Sequence, residues 1–97
     1  GDLSISGGAL QKSTAASGTA NFNFAKSGTQ TFTKTAGTIS SNATSPLAFN
    51  VNSGSILDFG TNVLDGTNPT FTLASGGGII TANTAGLTSS GATGTIQ

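Results

Sequence analysis

Histidine, cysteine, glutamate, arginine and tyrosine do not occur in this chain of 97 residues, and neither do methionine and tryptophan. The first five absences remove most of the groups that do acid–base, nucleophilic and metal chemistry. Serine is abundant, but a serine nucleophile needs a base to activate it, and histidine, the usual one, is not encoded. The sequence therefore argues against an enzyme, with no catalytic residue, no cofactor-binding residue and no metal-ligand set to nominate. Without cysteine there is no disulfide framework, a composition that secretion still permits. Charge is nearly as scarce. Asp2, Asp58 and Asp65 face Lys12, Lys26 and Lys34, and the net charge is zero. A neutral chain cannot neutralise a row of phosphates, so nucleic acid is not an expected partner. No apolar run approaches the roughly 20 residues that span a bilayer, so membrane insertion is not expected either. No signal peptide is visible and the chain opens in mid-pattern at Gly1, which reads as a mature fragment or a repeat unit.

Gly, Ser, Thr, Asn and Ala fill the space, with 15 Gly and only 2 Pro. Disorder usually combines low hydrophobicity with high charge. Here 34% of residues are hydrophobic and 6% charged, so no self-repulsion holds the chain open. A flexible Gly/Ser linker is excluded by apolar residues recurring in alternating pairs. Leu3-Ser4-Ile5, Phe22-Asn23-Phe24, Phe49-Asn50-Val51 and Phe71-Thr72-Leu73 share one apolar–polar–apolar pattern. A Ser/Gly turn follows each: Ser6-Gly7-Gly8, Ser27-Gly28, Ser53-Gly54 and Ser75-Gly76. A second short strand follows each turn, at Ala9–Gln11, Thr31–Thr33, Ile56–Phe59 and Ile79–Ala82. A third apolar point follows in the later rounds, at Ile39, at Val63 with Leu64, and at Leu87. Pro46 and Pro69 stand just before a triplet.

This self-similarity predicts an all-β parallel solenoid (a β-helix) of about four coils with three short strands each. The coils run approximately over 1–20, 21–45, 46–68 and 69–92, with the start of a fifth at 93–97, all in one domain. Equivalent positions then stack along the axis, Leu3, Phe22, Phe49 and Phe71 in one inner column and Ile5, Phe24, Val51 and Leu73 in another. Each coil buries a few apolar side chains against its neighbours. The alternative is an antiparallel β-sandwich, which also shows short strands separated by turns. It would favour Asn-Gly hairpins, and the chain contains none.

The segments SGTQTFTKTAGTIS, PLAFNVNSGSILDFGTNVL and TFTLASGGGIITANTAGLTSSGATGTIQ together resemble the repetitive β-solenoid regions of very large secreted surface proteins of Bacteroidota, often described as adhesin-like or autotransporter-like. The resemblance covers about Gly18 to Gln97. It implies export to the bacterial cell surface and a role as a rod or adhesive stalk. It carries no catalytic motif. The expected partners are neighbouring coils or copies stacked end to end, with glycans or abiotic surfaces as further contacts.

Several smaller features have both a functional and a structural reading. Asp65 with Asn62 and Asn68 offers oxygens in one loop for a cation, but Asn and Asp are also ordinary turn formers. Asp58 points away from Leu57 and Phe59 and reads as a solubilising surface charge. Gly76-Gly77-Gly78 lacks the following Lys-Ser/Thr of a phosphate loop and reads as a corner needing positive φ. Asn42-Ala43-Thr44 is a formal glycosylation sequon, expected by chance in so Asn/Thr-rich a chain. In Thr29–Thr35, TQTFTKT, every second residue is Thr. Rows of outward Thr on flat solenoid faces can bind ice, but only if they recur in successive coils, and the Gly54–Asp58 and Gly77–Thr81 stretches lack such a ladder. Matching Phe32 to Leu57 puts Phe32 inside, turns Thr29, Thr31 and Thr33 outward, and ends the strand before Lys34. The opposite choice buries a Thr row and forfeits about 2 kcal/mol of Phe burial.

Overall fold

Apolar residues spaced two apart put their side chains on one side of an extended chain, and only strands present that pattern as a face. In the computed structural model, which describes residues 1–87 and 93–97, this produces seven strands and no helix. They are β1 (Leu3–Gln11), β2 (Ala20–Phe24), β3 (Gly28–Ser40), β4 (Leu47–Val51), β5 (Ser55–Asp58), β6 (Thr70–Leu73) and β7 (Gly78–Ile80). The odd strands form one sheet, β1-β3-β5-β7, and the even strands another, β2-β4-β6. All five pairings are parallel. The antiparallel sandwich is thereby set aside, because hairpins would have made neighbouring strands antiparallel.

The triplets pair as their shared pattern predicts. Phe22 lies beside Phe49 and Phe49 beside Phe71, while Phe24, Val51 and Leu73 form the second line. The Phe22 and Phe49 rings stack with centroids 5.1 Å apart and 14° between planes. The first triplet departs from the expectation. Leu3-Ser4-Ile5 pairs with Phe32-Thr33-Lys34 in the other sheet, not with Phe22-Asn23-Phe24. The turn that follows differs: Ser6-Gly7-Gly8 lies within β1, where the β1–β3 register shifts between Ile5 and Ser6 and again before Ala9. A bulged, continuous strand replaces the corner that closes the later triplets.

That corner has constant length. From Phe24 to Gln30, from Val51 to Leu57 and from Leu73 to Ile79 is the same step of six residues, and Gln30, Leu57 and Ile79 are paired neighbours. Each corner contains a glycine in the left-handed region: Gly28 at φ 85°, Gly54 at 79° and Gly76 at 81°. Only glycine takes this conformation freely. The corners also bond to one another, Gly28 N–H to the Gly54 carbonyl at 3.1 Å and Gly54 N–H to the Gly76 carbonyl at 2.9 Å.

The core lies between the sheets. Ile5, Phe24, Phe32, Ile39, Leu47, Phe49, Val51, Leu57, Phe59 and Leu64 are buried in one cluster. Phe32 and Phe59 meet at 5.0 Å between centroids, and Phe59 meets Phe71 at 6.2 Å. Burial decreases toward the outer strands. Leu73 on β6 is 43% exposed and Ile80 on β7 is 47% exposed. Among the described residues, no third line of strands matches the first two. Ile39 pairs with Leu10, and beyond it only isolated bridges remain, Ser40 to Thr67 and Leu64 to Ile96. Leu87 is exposed rather than stacked. The expected end of the fourth round at residue 92 lies outside the described residues.

Candidate functional site

The Thr row of TQTFTKT is carried by β3. Phe32 is buried, Thr29 and Thr31 are exposed and Thr33 is half-buried, so the face chosen from the sequence is correct. The register is not. Leu57 pairs with Gln30, two residues before Phe32, because the six-residue corner fixes the alignment. Nor does the strand stop before Lys34. β3 continues to Ser40, and β1 pairs along its second half. Thr29 lies beside Ile56 and Thr31 beside Asp58, whose next neighbours are Gly78 and Ile80. No Thr ladder crosses this sheet.

Gln30 is the residue that the sequence reading overlooked. It is fully buried, at an inward position two before Phe32. A buried amide must satisfy its hydrogen bonds. Its Oε1 accepts from the Gly1 ammonium at 2.6 Å, and its Nε2 donates to the Lys26 carbonyl at 3.1 Å. The Ser55 hydroxyl donates to the same carbonyl at 2.8 Å. Strict alternation back from Phe32 would have flagged Gln30. Beside it, the Thr31 N–H donates to Asp2 Oδ1 at 2.8 Å. That bond holds the Asp2 carboxyl below the usual carboxylate range, with smaller help from the Thr31 side chain and the nearby positive charges of Lys26 and the N-terminus.

On the β2-β4-β6 sheet the outward positions form a short amide line. Asn23 lies beside Asn50, and Asn50 beside Thr72. The Asn50 Nδ2 donates to Asn23 Oδ1 at 2.9 Å and to Asn21 Oδ1 at 3.2 Å. These groups satisfy one another along the sheet rather than converging on a ligand.

The oxygen cluster considered for a cation is otherwise engaged. Asn62 Oδ1 accepts from the Lys34 N–H at 2.9 Å, and its Nδ2 donates to the Phe59 carbonyl at 3.0 Å. Asp65 Oδ1 has no neutral hydrogen-bond partner but lies 2.9 Å from the Lys34 ammonium. The Lys34 ammonium thus already pairs with the one carboxylate of this cluster. With the Asp65 side chain 49% exposed, the pair contributes about 1 kcal/mol or less. Asn68, at φ 53°, is a turn residue ahead of Pro69. Asp58 is half-exposed and accepts from the Gly60 N–H at 2.8 Å, capping the turn after β5.

In Gly76-Gly77-Gly78 only Gly76 has positive φ. The other two sit close to their neighbours. A Cβ on Gly77 would lie 3.1 Å from the Asn52 carbonyl oxygen, and one on Gly78 would lie 3.3 Å from Ile56 Cγ1. The Asn42-Ala43-Thr44 sequon forms an exposed Asx turn. Asn42 Oδ1 accepts from the Thr44 N–H at 3.0 Å, the Thr44 hydroxyl at 2.8 Å and the Ser45 N–H at 2.9 Å. This turn borders a cleft of about 460 Å³ between the end of β1 and the end of β3.

No family profile, curated protein or solved structure matches the chain. No helix among the described residues is long and apolar enough to cross a membrane.

Proposed function

We propose that this chain is a segment of an extracellular parallel β-solenoid whose role is structural and adhesive. The observation that carries the reading is the repeated corner. In each of three rounds an identical six-residue step joins the two strands, although successive rounds lie 27 and then 22 residues apart, so that like positions lie over like positions. In such a rod each round packs on the next and adds about 4.8 Å of length. Four rounds reach only about 20 Å, so a useful span needs many segments in one chain or copies stacked end to end. The outer strands β6 and β7 favour stacking, since each pairs on one side only and each carries an exposed large apolar residue. The bacterial surface location rests on the resemblance to the Bacteroidota surface proteins. A non-catalytic role rests on the residue types that the sequence lacks.

Analytical ultracentrifugation of the purified chain at tens of micromolar tests the reading. Concentration-dependent assembly is expected, with fibres by electron microscopy at higher concentration. A clean monomer across that range would refute end-to-end stacking.

A further inference from the structure

The cleft beside the Asx turn is lined by polar side chains alone. Its lining includes Gln11, Lys12, Thr14, Ser40, Asn42 and Ser45, and no apolar residue. Its volume of about 460 Å³ falls in the range of small-molecule sites. Lys12 is the one charged side chain in the lining; Asp2, Asp58 and Asp65 all lie elsewhere. The Lys12 ammonium donates to the Ala16 carbonyl, and it has three donors to give. Asn42 Oδ1 is committed to the turn, which fixes the amide so that Nδ2 remains the part of the side chain not used by it. Ser45 is the most telling member. It is only 2% exposed, it lines the cleft, and its hydroxyl has no hydrogen-bond partner. Leaving a buried hydroxyl unpaired is unfavourable, and native proteins rarely do so without a use for it.

We propose that this cleft binds a saccharide unit carrying a carboxylate, with the Lys12 ammonium on the carboxylate and the Ser45 hydroxyl, the Asn42 amide and Gln11 on the sugar hydroxyls. The lining both donates and accepts, which suits a polyhydroxylated ligand. A bare carboxylate would leave most of these groups unmatched, and a neutral sugar would leave the Lys12 charge unmatched. Charge-assisted bonds supply the stronger contacts. The site deepens the adhesive part of the function proposed above and rests on that reading for its setting. Its test does not depend on rod assembly.

Equilibrium dialysis of D-glucuronate, D-glucose and acetate against the chain at low salt reads binding by single molecules and assemblies alike. Saturable binding of glucuronate in the millimolar range is expected, with glucose and acetate each about tenfold weaker or more. Lys12→Gln should weaken glucuronate binding about tenfold while the far-UV circular dichroism stays that of the parent chain. Ser45→Ala should weaken it severalfold while leaving the thermal midpoint unchanged or raised, because an unpaired hydroxyl contributes nothing to the fold. Absence of saturable glucuronate binding would overturn the proposal and leave the rod reading standing. Equal binding of glucose, or indifference to Lys12→Gln in a folded variant, would overturn it as well.

Discussion

Phe22 and Phe49 sit at equivalent positions on adjacent strands, so truncating each to alanine isolates what a neighbour on both sides is worth. Phe49 is 1% exposed, with Phe22 on one flank and Phe71 on the other. Phe22 is half-buried, because β2 is the outer strand of its sheet. Removing a fully buried Phe costs about 3–5 kcal/mol through lost transfer energy and the cavity left behind. The stacked pair at 5.1 Å adds about 0.5–1.5 kcal/mol, and either substitution removes it. Phe49→Ala should therefore cost about 4 kcal/mol or more, and Phe22→Ala about half of that. Against a total stability of about 5–15 kcal/mol, the first variant is close to unfolding and the second is not. Urea titration followed by circular dichroism checks this at a protein concentration low enough to prevent assembly. With a slope of about 1 kcal/mol/M, the Phe49→Ala midpoint should fall by about 4 M, or the chain should be unfolded without urea. Equal losses for the two variants would refute the placement of β2 at the edge. At high concentration the Phe22→Ala loss should grow, since a copy stacked on β2 buries that ring.

Two further expectations concern the corners and the chain start. Gly54→Ala meets no atom within 4 Å and should cost about 1–2 kcal/mol for the left-handed backbone alone. Gly76→Ala adds a 2.7 Å approach to Ser53 Oγ and should cost more. Ser53→Ala in that background should recover the difference in thermal midpoint, and no recovery would show that the clash is not with the hydroxyl. Asp2 has a folded pKa below its unfolded value. Its bond to the Thr31 N–H therefore contributes above the ordinary carboxylate range and is lost as pH falls through the lower, folded value. The Thr31 amide resonance should shift over that acidic window, and in Asp2→Asn it should not.

The parallel all-β arrangement was readable because triplets and Ser-Gly turns recur, and periodicity is the strongest signal a single sequence carries. The face of β3 was readable from Phe32 for the same reason. The register was misread because Phe32 was matched to Leu57 by hydrophobic likeness. Counting six residues from Val51 and from Phe24 leads instead to Leu57 and Gln30, so a buried glutamine occupies an apolar line. Likeness of side chain is a weaker guide to register than loop length, because one satisfied amide can replace a leucine without moving the backbone. Leu3-Ser4-Ile5 misled for the converse reason. Its pattern matches the other triplets, but the Gly7-Gly8 that follows bulges a strand instead of turning a corner. The cleft was not legible at all. Lys12 and Ser45 are 33 positions apart, and nothing in either local sequence announces that β1 and β3 end side by side.

The strand-by-strand pairing of successive rounds also decides how the molecule would respond to force. Every ladder bond joins a strand to the round before or after it, none to a strand two rounds away. Tension applied between the two ends loads the ladders crosswise, like the teeth of a zipper, rather than in parallel shear. Rounds would then detach singly from an end, each releasing 22 to 30 residues of slack, the spacing between paired positions. A chain built this way would yield in small steps and lengthen under load before it breaks, and the corner bonds between Gly28, Gly54 and Gly76 are among the links that would let go in turn.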